Sequence, residues 1–146
     1  MIRNESEYRQ AVERLREESA RLEEQQRLLR ESGLTTGQIK RALNPMRSFH
    51  AQFEEEVETY ERLRRGDFGE LHNLAGLGQL LVMLRIASDL TQAQLAERLG
   101  VDPSQVSRDE RNEYRGVTLE RANRILEALG AELVTKVEAA GERPAA

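Results

Sequence analysis

The sequence of 146 residues predicts an all-α protein, with an N-terminal helical hairpin followed by a domain of short helices. Three observations favour this class. Apolar residues recur at spacings of three and four in the first half, charged residues make up 33 % of the chain, and aromatic residues only 4 %. This balance suits solvated helices better than a β-sandwich. One short segment near the C-terminus has the alternating pattern of a strand.

The composition limits the classes of function. The chain has no cysteine, which excludes disulfides, thiolate metal sites and cysteine nucleophiles. Its longest strongly apolar run, Leu80 to Leu84, is too short to cross a membrane. Charged residues such as Arg3 and Glu5 interrupt any stretch that would resemble a signal peptide. We therefore expect a cytoplasmic protein without a membrane partner.

The charge balance opposes nucleic-acid binding, because Lys and Arg that neutralise phosphates supply most of the non-specific affinity for DNA. The formal net charge is −4. From Glu70 onward, nine basic residues stand against twelve acidic ones. Any DNA-binding surface must then be a small basic patch on an acidic body.

Residues 1–69 are expected to form the hairpin, as a coiled-coil-like extension. A heptad seam marks its first helix, at Tyr8, Val12, Leu15, Ser19, Leu22, Gln26 and Leu29. Turn residues between Glu31 and Gly37 predict a reversal. A second seam follows, at Ile39, Leu43, Met46, His50, Phe53, Val57 and Tyr60. Asn44 followed by Pro45 predicts that the second helix is interrupted and restarts there, and Gly66 predicts its end.

Residues 70–138 are expected to form the second domain, and residues 139–146 a flexible tail. An apolar face from Leu71 onward predicts a helix that ends near Ala87. Three more helices are predicted at 92–99, 103–111 and 118–129, each introduced by a capping residue.

The segment Glu132 to Glu138 alternates with the period of a β-strand. A lone strand would leave its backbone groups unpaired. The pattern therefore predicts strand pairing across a homodimer, or with a different protein. The dimerisation residues expected from it are Leu133, Val134, Thr135 and Val137.

Two capped helices follow each other closely in the second domain. Thr91 is a natural N-cap, and Gln94 stands at the capping-box position three residues later. Asp102 repeats the signal, with Pro103 at the first helical position. Gly100 lies between the helices and can adopt positive φ at little cost, which permits a short turn and a steep crossing angle.

This stretch resembles the helix-turn-helix of the XRE family, the group of Cro- and lambda-repressor-like regulators. The resemblance covers about residues 74–130 and rests on a combined pattern of Thr91 with Gln92, Ala96, Gly100, Val106 and Glu110. It implies that the second helix lies in the major groove of double-stranded DNA with its N-terminal residues at base edges, while the first contacts phosphate.

Carried onto this sequence, the resemblance implies base contacts by Pro103, Ser104, Gln105, Ser107 and Arg108. Gln105 matches the paired donor and acceptor of adenine, and Arg108 matches the two acceptors of guanine. Gln105 also stands where a capping-box glutamine would stand. Arg108 has no competing role of this kind.

Phosphate contacts are implied for Gln92, Arg111, Asn112 and Arg115. Glu110 is expected to be a structural acceptor inside the domain, because a carboxylate facing phosphates would be repelled. The chain departs from the family at Pro103 and Asp109. The family often has a polar reader at the first position and an apolar or aromatic residue at the second.

Two functions stay open. The first is a repressor that binds a palindromic operator as a homodimer. The second is an antitoxin that neutralises a protein toxin and regulates its own operon, since the order of hairpin and domain also resembles HigA-like antitoxins. The hairpin could pack on its own domain or its dimer mate, or dock an effector or toxin. An enzyme is disfavoured, because no combination of nucleophile, base and oxyanion donor is visible. No catalytic residue, metal or cofactor is expected.

Overall fold

The computed structural model describes residues 1–139 and 141. Six α-helices lie in this part of the chain: α1 Glu5–Glu31, α2 Thr36–Arg64, α3 Leu77–Ala87, α4 Gln92–Leu99, α5 Pro103–Arg111 and α6 Leu119–Leu129. The all-α prediction is thus confirmed for the described residues. None of the described helices has the length and apolar character needed to span a membrane.

The chain divides into two compact units. The hairpin unit comprises Met1–Ala75 together with Ile86–Leu90. The C-terminal unit comprises Gly76–Arg85 together with the residues from Thr91 onward. Each unit has its own buried side chains.

In the hairpin unit, α1 and α2 run antiparallel. The Asn4 side chain caps α1, and the predicted turn contains the Thr35 capping box that begins α2. The Tyr8 and Tyr60 rings stack with centroids 5.0 Å apart. Ser19 Oγ lies 2.7 Å from Nε2 of His50, inside the seam. These contacts fix the register of the two helices.

The structure contradicts the predicted interruption at Pro45. The helix α2 runs through Pro45 without a break. Proline removes one backbone hydrogen bond from a helix, that to the carbonyl of Arg41 four residues earlier. Both residues lie on the exposed side of α2, where water can bind that carbonyl. The packing of α2 on α1 offsets the remaining cost.

The C-terminal unit packs four helices around Leu81, Leu95, Val106 and Ile125, each at most 1 % exposed. The predicted helices at 92–99 and 103–111 are confirmed, and that at 118–129 begins one residue later, with Thr118 as its N-cap. The local capping residues thus predict where these three helices begin.

The helix predicted from Leu71 begins only at Leu77. Asn73, Leu74 and Gly76 all have positive φ. This left-handed backbone cannot belong to an α-helix. The apolar residues before Leu77 therefore belong to a connecting segment, and Leu74 is 41 % exposed.

The predicted C-terminal strand is also wrong. Among the described residues no strand forms, and from Ala131 to 139 the only backbone hydrogen bond runs from the Ala131 N–H to the Leu126 carbonyl, 2.9 Å. A strand needs a partner for its backbone groups, and this chain offers none there. Val134 and Val137 are 81 % and 91 % exposed. The predicted tail lies, from residue 140 onward, largely outside the described residues.

Gly78 lies where α3 meets the backbone beyond α5. A Cβ atom at Gly78 would lie 2.8 Å from the carbonyl carbon of Glu113 and closer still to its oxygen. Glu113 and Tyr114 both have positive φ, so this backbone already follows an unusual path. Only glycine fits this contact without a shift of main-chain atoms.

We expect Gly78→Ala to destabilise the C-terminal unit by about 2 kcal/mol through overpacking. Gly37→Ala is the matched control, because a Cβ there meets nothing within 4 Å and Gly37 lies inside α2. It should stabilise slightly, by about 0.5 kcal/mol, through helix propensity. Thermal denaturation followed by circular dichroism checks both, and equal melting temperatures for the two variants would contradict the steric argument.

Candidate nucleic-acid interface

The helices α4 and α5 are held by the caps that the sequence predicts. Thr91 Oγ1 accepts from the Gln94 N–H at 3.1 Å, and Gln94 Oε1 accepts from the Thr91 N–H at 2.9 Å. Gly100 ends α4 with a φ of 68°. Asp102 then caps α5 by accepting from the Ser104 N–H at 2.8 Å. The turn between the two helices is therefore locally determined.

A buried carboxylate joins three helices of this unit. Arg85, near the end of α3, is 4 % exposed and donates from Nη2 to Glu110 Oε2 at 2.9 Å. Its Nε also donates to Glu110 Oε1. Gln92 Nε2, at the start of α4, donates to Glu110 Oε2 at 2.8 Å. The prediction that Glu110 is an internal acceptor is confirmed.

This cluster positions α5 more than it stabilises the fold. A buried ion pair recovers its desolvation cost only with good geometry and further hydrogen bonds, and it gives little net stability. Breaking it is costly, because a buried charge loses its partner. Glu110 lies in the last turns of α5. The direction of α5 is therefore fixed relative to α3 and α4.

The exposed face of α5 lies opposite its buried residue Val106, which is 1 % exposed. Ser104, Arg108 and Arg111 follow one another along this exposed face. Pro103 is also exposed. The structure thus brings these predicted DNA-contacting residues to one side of the helix.

Gln105 and Ser107 are half-buried at the two edges of this face. The cap of α5 uses the Asp102 side chain and contains no capping box. The alternative role that the sequence left open for the Gln105 amide is therefore not seen.

The exposed arginines Arg108, Arg111 and Arg115 form what we call the basic patch. Arg108 Nε makes a long contact of 3.4 Å with the Ser104 carbonyl oxygen. Among the described residues, no carboxylate pairs with any of the three. Asn112, between them, is the C-cap residue of α5 and is exposed. The Asp102 carboxylate interacts electrostatically with Arg108, but no salt bridge among the described residues holds any of the three guanidinium groups, so the patch can bind an anionic ligand.

Two other arginines of the unit are engaged within it. Arg121 on α6 forms an ion pair with Asp109 of α5. Arg98 on α4 donates to the Ala128 carbonyl oxygen at 2.8 Å. The departure from the family at Asp109 thus has a structural partner. These contacts leave the basic patch as a distinct surface of the unit.

The roles of Arg85 and Arg121 were not predicted from the sequence. Arg85 had a usable signal, because it interrupts the apolar run of α3 and an arginine there needs a buried partner. Arg121 had no such signal, since it lies on an amphipathic helix among other charged residues.

Two ionisable groups near this surface have shifted pKa values. Hydrogen bonds from Ser104 hold the pKa of the Asp102 carboxyl below its usual value, so the α5 cap stays ionised at neutral pH. Burial raises the pKa of Tyr114, whose hydroxyl is enclosed and without a hydrogen-bond partner. Tyr114 is therefore a neutral core residue.

A comparison with known protein families matches residues 81–135 to the helix-turn-helix family. This stretch is an XRE-type helix-turn-helix domain. No curated protein and no solved structure matches the chain. The domain identifies the protein as a DNA-binding regulator of transcription. In the part of the chain that the structure describes, no three His, Asp or Glu side chains group as metal ligands.

We expect Glu110→Ala to destabilise the helix-turn-helix domain by about 3 kcal/mol, because it leaves the buried Arg85 guanidinium without its carboxylate. Glu24→Ala removes the carboxylate of an exposed ion pair with Arg27 and serves as the control. It should leave the free energy of unfolding almost unchanged. Urea denaturation of both variants checks this, and similar losses would refute the positioning role of Glu110.

Proposed function

We propose that this protein is a cytoplasmic repressor that binds a palindromic operator as a homodimer, with α5 in the major groove. The observation that carries the proposal is the exposed face of α5. It presents Ser104 and Arg108 toward solvent while Val106 and Glu110 anchor the helix from behind. A repressor acts by occupying its operator, which needs no residue beyond this surface.

The base contact assigned to each residue of α5 follows from the chemistry of its side chain. Arg108 carries a planar fork of donors that matches guanine O6 and N7, and Gln105 matches adenine N6 and N7. Pro103, Ser104 and Ser107 lie on or beside the same face and complete the reading surface. In this proposal Arg108 contributes most of the sequence preference.

Phosphate contacts are assigned to residues at the rim of this face. Arg111, Asn112 and Arg115 follow the recognition residues toward the C-terminal end of α5. Gln92 lies at the first position of α4, where backbone N–H groups favour a phosphate. Its side-chain amide already donates to Glu110, which holds it in place. These contacts would fix register and add affinity.

A dimer is supported by the charge balance and by exposed apolar residues. One acidic module with a small basic patch binds DNA weakly, whereas two linked copies gain effective concentration. Two-fold operators place half-sites about 34 Å apart. Exposed apolar residues following α6 include Leu133, Val134 and Val137. We assign the dimer contact to these residues together with Thr135.

The first test concerns the reading residue. Arg108→Ala should reduce affinity for the selected operator by about 1–3 kcal/mol and relax the preference at one base pair, because a bidentate contact is lost. Arg115→Ala should weaken binding to all sequences alike and lower the salt slope by about one. Sequence selection followed by gel-shift titration at several salt concentrations measures both.

Arg9→Ala is the control for these variants, because Arg9 is an exposed α1 residue paired with Glu5. It should bind DNA as the wild type does. An Arg108→Ala protein that keeps the full sequence preference would overturn the assignment of the reader.

The second test concerns the dimer contact. Val134→Asp combined with Val137→Asp places two carboxylates among apolar side chains that should be buried on dimerisation. Operator affinity should fall at least about tenfold, while the isolated unit stays folded, since both residues are highly exposed. Lys136→Asp is the control, because it adds a carboxylate to the same exposed segment without replacing an apolar residue. Unchanged operator binding by the double variant would exclude this contact.

A further inference from the structure

The two hairpin helices differ in how their charges are paired. Four arginines of α1 form ion pairs with glutamates three or four residues away along the same helix: Arg9, Arg14, Arg16 and Arg27. In α2 the basic residues Lys40, Arg41 and Arg47 lie in the first half, whereas five glutamates from Glu54 to Glu61 lie in the second half, followed by Arg62 and Arg64 in the last turn. Among the described residues, no ion pair involves Arg41 or Glu55. These charges of α2 are available to another molecule.

One face of α2 combines such charges with an exposed aromatic ring. Phe49 is 46 % exposed, while the rest of its ring contacts Phe53, with centroids 5.5 Å apart, and the Arg14 guanidinium of α1, 5.9 Å from its centroid. At 100° per residue, Arg41, Pro45, Gln52 and Glu55 all lie within about 120° of Phe49 on the same side of the helix. All five residues are exposed. We call this surface the Phe49 face.

A cleft of about 330 Å³ opens at the C-terminal end of the Phe49 face. Its apolar lining includes Ile2, Tyr60 and Leu63, which are all buried residues of the hairpin unit. Glu55 and Glu56 supply carboxylates at its edge; Glu56 pairs with the Met1 ammonium group at 3.5 Å, which leaves Glu55, among the described residues, as the unpaired carboxylate. An apolar cleft with acidic groups at its edge suits the side chain of arginine, whose methylene groups pack on apolar surface while the guanidinium binds carboxylate.

Position along α2 relates the cleft to an arginine of the same helix. Arg41 stands eight residues before Phe49, whereas Glu55 and Glu56 stand six and seven residues after it. If two copies of α2 pack antiparallel about a two-fold axis near Phe49, Arg41 of each copy lies opposite the cleft of the other. Such a contact is self-complementary, as a two-fold interface requires.

We propose that a second copy of this chain docks on the Phe49 face, antiparallel, with Arg41 of each copy in the cleft of the other. Phe49 then packs near its symmetry mate, and Glu55 pairs with the arginine that enters the cleft. The opposite, parallel arrangement would place Arg41 against Arg41, and like charges disfavour it. The charges therefore select the orientation, while the aromatic ring and the apolar cleft supply buried surface.

The contact through the Phe49 face is separate from the C-terminal contact proposed above. It is therefore tested in a protein whose C-terminal contact has been removed. The background is the full chain with Val134→Asp and Val137→Asp. In this background the protein should still self-associate, and Phe49→Ser should make it monomeric. Leu28→Ser, on an exposed apolar residue of α1, is the control and should leave the association unchanged. Sedimentation equilibrium measures the mass.

Charge exchange at Arg41 and Glu55 gives a sharper test. Arg41→Glu and Glu55→Arg should each weaken self-association by about tenfold or more, because like charges then meet in the antiparallel pair. An equimolar mixture of the two variants should restore association, since each charge again faces its opposite. Arg47→Glu changes an exposed charge on another side of α2 and should have no effect.

Three results would overturn the proposal. The first is a background protein that stays monomeric at every concentration, which would leave the cleft to a different protein with a basic side chain. The second is association that Phe49→Ser does not weaken. The third is a mixture of Arg41→Glu and Glu55→Arg proteins that fails to recover association. None of these outcomes bears on the operator contacts of α5.

Discussion

The carboxylate of Glu110 is the constraint on which the helix-turn-helix domain depends. It receives hydrogen bonds from Arg85 at the end of α3 and from Gln92 at the start of α4, while its own backbone belongs to α5. A buried carboxylate must be paired, so α5 is confined to the orientation in which all three groups meet. The outward direction of Ser104 and Arg108 is a result of this internal pairing. A polar cluster in the interior thus orients the surface residues of α5.

The two units differ in how their charged side chains are paired. In the helix-turn-helix domain, Arg85, Arg98 and Arg121 are engaged with internal acceptors, whereas Arg108, Arg111 and Arg115 form no salt bridge among the described residues. In the hairpin unit, the long helices are solvated and most α1 charges are paired along the helix itself. The chain is acidic overall, yet the positions of its unpaired charges indicate more about its binding surfaces than the net charge does.

Local signals made the helix-turn-helix predictable from the sequence, because Thr91, Gly100 and Asp102 act on neighbouring backbone groups. The predictions were wrong where the local structure depends on packing between distant residues or on a second strand that the described residues do not supply. Pro45 is tolerated inside α2 because it faces solvent and α2 packs on α1. The segment after Ala131 has the strand period but no second strand to pair with. Arg85 and Glu110 each have a sequence signal of burial, but they lie 25 positions apart, so no local pattern shows that they pair with each other.

The small size of the basic patch also affects how the helix-turn-helix domain approaches DNA. A uniformly basic domain is held by any stretch of duplex and spends much of its search sliding along it. Here twelve acidic residues against nine basic ones from Glu70 onward give the chain segment a net negative charge, which weakens non-specific binding. We therefore expect this domain to be held only weakly by non-specific DNA.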